Sequence, residues 1–340
     1  MPATHEASTC EGIVISAAGG PEVLRWVDAM PLPELAADEV LIDVAFSGVN
    51  RHDCNQRRRG PTPAHSDVPG LEVSGVVHAV GARVTQFKVG DEVCALVDGG
   101  GYATKAVAQA SLTFKVKAPL TLRLAAALPE AMFTTWHNFF GVAQLGPGET
   151  VLIHGGTSGV GSFAIQLLRC FGHSVFVTCG SDEKGVQALA LGATRAINYR
   201  TQDFAEEVLS ATGGKGVDVI LDMAGAAHSA RNVHALARRG RLVHLSPGDG
   251  VDFVAPLRTI LAKEARITGS LLRPLPPEEK AAIAASLRKH VLPLIDAGHL
   301  APWVQEVVPL RAAADAHARL ESGNAMGKIV LQSDSTRARE

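Results

Sequence analysis

The chain has 340 residues, enough for two domains of ordinary size, and 46% of them are hydrophobic. Its 32 basic and 34 acidic side chains leave a net charge of −2, which gives no general attraction to nucleic acid or an anionic membrane. No apolar run approaches the ~20 residues of a membrane span, and the amino terminus lacks the basic-then-apolar pattern of a leader. Five scattered cysteines without a Cys-x-x-Cys pair read as reduced thiols of a cytoplasmic protein.

Taken in order, residues 1–10 read as a poorly ordered lead-in. Short strands are predicted at 12–16, 39–45, 74–80 and 91–96, punctuated by Gly, Pro and Asp turns. Without alternating helices, they suggest a small barrel-like domain ending near Ala118. Helical segments at 122–127 and 129–135 lead to the stretch on which the chain is organised. There Val151 to His154 read as a short buried strand. Val160, Ala164, Leu167, Leu168 and Phe171 then repeat with the spacing of one helix face. Between them lie Gly155 and Gly156, which allow a tight turn. Gly159 permits close backbone approach to a ligand, and Gly161 lets the helix pack against the strand. The candidate contacts Gly156, Ser158, Gly159, Val160 and Gly161 would set the first-turn N–H groups against a pyrophosphate, helped by the helix dipole. A glycine-rich turn without a ligand is the alternative.

Strand and helix alternate from there: strand 174–178, helix 182–191, strand 195–199, helix 203–211, strand 217–223, helix 229–238, strand 241–245 and strand 266–272. Six strands with intervening helices make an α/β, doubly wound parallel sheet. Residues 275–277 read as a linker, 278–297 as an amphipathic helix, and 327–331 as a strand that rejoins the first domain. At the end of the second parallel strand, Val177-Thr178-Cys179-Gly180-Ser181 holds no carboxylate that would bind a ribose 2′-OH and repel a 2′-phosphate. Ser181 and Lys184 offer a hydroxyl and a charge there, so NADPH is expected over NADH. Asp182 is the awkward neighbour and reads as a helix N-cap.

The blocks 19–22, Val49-Asn50-Arg51-His52-Asp53, Pro69-Gly70-Leu71-Glu72-Val73-Ser74-Gly75, 90–93, 155–161 and 268–272, in that order, resemble the zinc-free NADPH:quinone oxidoreductase branch of the medium-chain dehydrogenase/reductase superfamily. Within it the chain is most similar to the tumour-suppressor-induced quinone oxidoreductase type. The resemblance implies a GroES-like β-rich catalytic domain (1–130, joined by 275–340) and a Rossmann NADPH-binding domain (131–274), with the nicotinamide in a cleft between them. It carries 2′-phosphate contacts onto Gly180, Lys184 and Tyr199. Ser246, Ser270, Leu271 and Leu272 are carried onto the nicotinamide side, with Asn50 and Thr134 on the catalytic-domain side. Zinc-binding relatives have a cysteine where this chain has Asn50 and a histidine where it has Leu71, and only residues 94–101 stand where a four-cysteine lobe would be. No metal is therefore expected; His52, His65 and His78 read as surface or satisfied histidines.

Without a Lewis acid, such a site suits electrophilic acceptors: quinones, or alternatively enones and 2-enoyl thioesters. Relatives often place a tyrosine shortly after the asparagine, where this chain has Asn55, Pro61 and Thr62. Of its two tyrosines, Tyr102 reads as a sheet residue. Asn50 is expected to bond the nicotinamide ribose or a substrate carbonyl, the alternative being a turn-forming asparagine. Arg57-Arg58-Arg59 carries the non-enzyme alternative, an RNA-binding module, against a solvated basic loop. The strand at 266–272 is a plausible homodimer seam.

Overall fold

The computed structural model describes residues 9–62, 67–248 and 252–334. The chain divides into two compact units, Met1–Glu130 with Pro302–Glu340, and Ala131–Ala301. The first opens with an antiparallel pair, β1 (Thr9–Ile15) and β2 (Leu24–Pro31). Residues 1–8 of the expected lead-in lie outside the described residues, whereas Thr9 and Cys10 already pair with Pro31 and Met30. β3 (Glu39–Gly48), β4 (Glu72–Val80), β5 (Glu92–Leu96), β6 (Lys105–Gln109) and β7 (Thr113–Lys115) follow. Between β3 and β4 the chain makes the helix Arg51–Arg59, which has no apolar stripe to announce it. Its buried residues are Asp53, Cys54, Gln56 and Arg57, so polar partners anchor it instead.

In the second unit β8 (Thr150–His154), β9 (Ser174–Cys179), β10 (Arg195–Asn198), β11 (Val217–Asp222), β12 (Leu236–His244) and β13 (Arg266–Gly269) form a parallel sheet. Their order is β10-β9-β8-β11-β12-β13, with a switch point beside β8 as the alternation predicts. Val151, Ile153, Val177 and Val219 face Ala164 and Leu168 of the helix Gly159–Cys170. Leu152, Phe176, Ile220 and Leu242 face Phe204 and Val208 of the helix Phe204–Ala211. Strands covered on both faces read as continuous apolar runs; each large side chain so buried stabilises the sheet by about 1.5–3 kcal/mol.

Three boundaries differ from expectation. The helix expected to reach 238 is Ser229–Ala235, because Leu236 already pairs with Val217 in β12 and the Lys263 ammonium binds the carbonyls of His234 and Leu236. The last parallel strand stops at Gly269, and the Ser270 hydroxyl turns to Asn138. The helix expected over 278–297 breaks into Pro277–His290 and Leu292–Asp296. Pro293 supplies no N–H to the preceding turn, and its ring crowds that carbonyl. The segment 275–301 belongs to the second unit, a correction to its expected place in the first. It is held there by paired bonds between the Gln166 amide and Ala301 (3.0 and 3.3 Å) and by stacking of Trp136 on His290.

The chain then returns to the first unit as β14 (Val304–Pro309) and β15 (Lys328–Gln332). β15 pairs antiparallel with β3, as expected, in the order β14-β15-β3-β4-β5-β7. β6 and β15 share one edge of β3, β6 along Glu39 to Asp43 and β15 along Phe46 to Gly48. Side chains of β3, β4, β5 and β6 meet in one core around Ile42, Val73, Val93 and Ala106. Among the described residues no helix is long and apolar enough to cross a membrane.

Candidate cofactor site and active site

The glycine loop follows β8. Gly155 has φ +75°, which suits glycine and makes the turn. Gly156 is required for a different reason than the turn: a Cβ there would lie 2.5 Å from the Val177 side chain on β9. A Cβ on Gly161 would lie 2.3 Å from the Gly155 carbonyl oxygen, so the helix packs on the loop's own backbone. Ser158 caps that helix, its hydroxyl accepting from the Gly161 N–H at 3.0 Å. The N–H groups of Gly159 and Val160 are then left for an anion.

A buried polar row from three strand ends and the helix Ser229–Ala235 supports this loop. The Gly155 N–H and the His154 Nδ1 atom meet the Thr178 hydroxyl at 3.4 and 3.0 Å. His154 Nε2 lies 2.7 Å from Asn232 Oδ1, and the Asn232 amide donates to Asp222 at 2.8 Å. Asp222 also accepts from the N–H groups of Ala224 and Gly225. Burial holds His154 below the usual histidine range, opposed by the Asp222 charge, so it is neutral and donates from Nε2. A histidine directly before the glycines was the available signal.

At the end of β9, a Cβ on Gly180 would lie 2.9 Å from the Tyr199 hydroxyl, so these two expected residues adjoin. Ser181 caps the helix Asp182–Ala190, accepting from the Lys184 N–H at 3.2 Å. Asp182 is therefore not the cap; its carboxylate accepts from the Asn198 amide at 2.8 Å. Burial holds the Lys184 ammonium below the usual lysine range, with Cys179 opposing and Arg200 adding to the shift. Arg200 thus brings a second cation that the sequence reading missed. The signal was its place directly after Tyr199.

Elsewhere in the second unit Asn138 links two expected residues. Its amide donates to the Thr134 carbonyl at 2.7 Å, and its oxygen accepts from the Ser270 hydroxyl at 2.7 Å. Thr134 therefore belongs with Ser270 in the second unit rather than on the catalytic-domain side. Ser246 is half-buried and accepts from the Gly248 N–H at 3.1 Å. Leu271 is exposed and Leu272 half-buried.

In the first unit Asn50 precedes the helix Arg51–Arg59. Its backbone N–H donates to Asp53 at 2.8 Å, its side-chain nitrogen to Glu72 at 3.0 Å, and its side-chain oxygen accepts from Lys328 at 2.6 Å. Lys328 also pairs with Glu72, whose second oxygen accepts from the Glu130 N–H at 3.0 Å. Behind this group, Asp53 accepts from the Gly70 N–H at 3.3 Å and the Tyr102 hydroxyl at 3.1 Å. Burial pushes the Asp53 carboxyl up to about 7, while the Asn50 N–H, the Lys328 charge and the Tyr102 hydroxyl pull it back. Tyr102 is buried in a turn, outside any strand, between Asp53 and His317.

The basic triplet is not a solvated loop. Arg57 is buried and pairs with Glu321 at 2.8 Å, and Arg58 reaches the same carboxylate at 2.9 Å. Arg57 is thus taken up within the fold and one carboxylate is shared by two of the three arginines, which weakens the case for the RNA-binding alternative. His78 pairs with Asp43, His52 lies on the helix, and His65 falls outside the described residues. Among the described residues no three His, Cys, Asp or Glu side chains converge as metal ligands.

The family described as "Alcohol dehydrogenase GroES-like domain" matches residues 36–118, and "Zinc-binding dehydrogenase" matches residues 191–331. Quinone oxidoreductase of Lama guanicoe is 34% identical over 325 residues, covering 94% of this chain and 96% of the relative. Escherichia coli quinone oxidoreductase complexed with NADPH superposes with TM-score 0.83 at 29% identity, covering 95% of this chain and 99% of that one. An NAD-dependent alcohol dehydrogenase gives 0.83 at 30%, with the same coverage. The enoyl reductase CurK gives 0.82 at 25%, covering 96% and 100%.

Proposed function

Because this chain belongs to the quinone oxidoreductases of the medium-chain dehydrogenase/reductase superfamily, we propose that it reduces quinones with NADPH, without zinc. The observation that carries the cofactor choice is the end of β9. Gly180 and Ser181 stand where a carboxylate would favour NADH, Asp182 is turned to Asn198, and Lys184 and Arg200 supply positive charge. When bound, NADPH supplies the hydride. The chain's residues bind and orient: Gly159 and Val160 present backbone N–H groups to the pyrophosphate, Gly156, Ser158 and Gly161 shape the turn that lets it approach, and Ser181, Lys184 and Tyr199 take the 2′-phosphate. Ser246, Ser270, Leu271 and Leu272 with Thr134 take the nicotinamide end. Asn50 takes the acceptor side.

Zinc independence is supported by the ligand chemistry. Asn50 is a neutral amide already bonded on both ends, Leu71 has no donor atom, and the Lys328 ammonium brings positive charge to Glu72. With no Lewis acid to polarise an alcohol, the site suits acceptors that are electrophilic already. Reduction of enones or 2-enoyl thioesters is the second reading, favoured by the likeness to CurK. The protein acts in the cytoplasm as a homodimer. β13 has β12 on one side only, and the neighbouring helix Leu257–Lys263 buries no residue among those described.

The test is consumption of NADPH and NADH with a panel of quinones, enones and enoyl thioesters, alongside elemental analysis. Quinone reduction with a marked preference for NADPH, no stoichiometric zinc and full activity in chelator are expected. One zinc per chain lost together with activity would end the zinc-free reading, and reduction of enoyl thioesters alone would select the alternative.

A further inference from the structure

Asn50, Glu72 and Lys328 form a closed polar unit inside the first unit's sheet. Glu72 is 0% exposed, Lys328 6% and Asn50 8%. The three arrive on adjacent strands: Glu72 opens β4, Asn50 follows β3, and Lys328 opens β15. Gly48 is the floor beneath them. A Cβ there would lie 2.2 Å from Glu72 Oε1, so the carboxylate occupies space that only glycine leaves. A buried carboxylate and ammonium are costly to desolvate, and an apolar pair of similar volume often folds as well. Stability alone therefore does not account for them.

We propose that Lys328 is a positioning residue that fixes the Asn50 amide in one orientation; the inference rests on the reduction proposed above. An ammonium only donates and a carboxylate only accepts. Asn50 Oδ1 must therefore face Lys328, at 2.6 Å, and Nδ2 must face Glu72, at 3.0 Å. A flipped amide would set NH2 against ammonium and C=O against carboxylate. The clamp leaves one Nδ2 hydrogen open on an amide polarised by a charge at each end. Asn50 is then a fixed donor to an acceptor oxygen rather than an acceptor from a ribose hydroxyl. NADPH, when bound, would supply hydride to a conjugated carbonyl, whose oxygen would gain negative charge and take its proton from water. A preoriented N–H stabilises the charge that develops there.

The test is a cycle of Asn50→Ala, Lys328→Met and the two combined, read in kcat, with the NADPH dissociation constant as control. Both single variants should lower kcat at least ~10-fold, since loss of a preorganised donor costs on the order of 10²–10³. NADPH affinity should stay within about 2-fold, and the combined variant should be no slower than Asn50→Ala alone, because Lys328 acts through Asn50. Lys328→Arg should recover part of the rate. Additive losses, or a wild-type kcat in Lys328→Met, would overturn the proposal.

Lys328→Met strands the Glu72 charge, so Glu72→Gln with Lys328→Met gives a neutral counterpart. It should fold and bind NADPH while keeping the low kcat; a wild-type kcat in it would assign Lys328 to stability alone. If the wild type reduced no conjugated carbonyl, the proposed function would fall. The clamp would still be read from the Asn50 side-chain amide in 15N–1H spectra. Displaced shifts and slow solvent exchange of its two protons, both lost in Lys328→Met, support it, and unchanged signals reject it.

Discussion

Lys184 and Arg200 bring positive charge to a strand end whose last positions, Gly180 and Ser181, hold no carboxylate, and the nearby Asp182 is bonded to Asn198. Lys184→Ala should weaken NADPH and leave NADH almost untouched, since only NADPH has a phosphate there. A charge-assisted bond of about 1.5–3 kcal/mol corresponds to roughly 10- to 150-fold in affinity, with solvent screening favouring the low end. Arg200→Ala should act in the same direction. Dissociation constants for both cofactors in one low-salt buffer decide it; equal weakening of both would make these surface cations only. Asp53 gives a second test. Burial lifts it from 3.8 to about 7, so between those values the folded state holds a proton that the unfolded state has lost. Its contribution to stability therefore falls as pH rises through that window. His317 runs the other way: burial, aided by Arg57, holds it down from 6.5 to about 3, and its contribution is lost as pH falls through that range. Relative to Asp53→Asn, the wild type should lose Tm as pH rises from 3.8 to about 7. A pH-independent difference would show that Asp53 keeps an ordinary carboxyl.

At the scale of elements, the glycine loop and the parallel sheet were legible in the sequence because period, glycine spacing and strand–helix alternation all point the same way. Gly161→Val should abolish NADPH binding in a folded protein, because its Cβ meets the Gly155 carbonyl at 2.3 Å. Fluorescence titration would show it, and unchanged affinity would displace the site from this loop. The helix Arg51–Arg59 was illegible for a physical reason. Its buried side chains, Asp53, Cys54, Gln56 and Arg57, include no hydrocarbon face, and partners such as Glu321 lie far along the chain. Read alone, three adjacent arginines look solvated. Arg57→Met should cost on the order of 1–3 kcal/mol, because the Gly19 carbonyl and Glu321 lose a buried donor while Arg58 still pairs with Glu321, measured by denaturant unfolding. A loss near zero would return the triplet to the surface. The clamp at Asn50 was half legible: motif order indicated the asparagine, but Lys328 stands 278 residues away and only strand pairing brings it there.

For the molecule as a whole, the open edge of β13 and the exposed Leu257 and Leu261 beside it bear on assembly. Leu261→Glu should shift a dimer toward monomer in sedimentation at equal concentration, by placing a charge in an apolar seam; an unchanged mass would move the interface elsewhere. The return of β15 to β3 has a further consequence for how the protein comes into being. The unit Ala131–Ala301 is an insertion, complete in itself, within a unit whose two pieces lie on either side of it. On the ribosome the inserted unit can fold while Glu72 and Asn50 still wait for Lys328, which is made after it. Domains fold as units during synthesis, the earlier-finished ones first. The first unit is therefore the later to mature, and a message cut short before residue 328 yields a finished second unit beside a Glu72 carboxylate that has no ammonium to meet it.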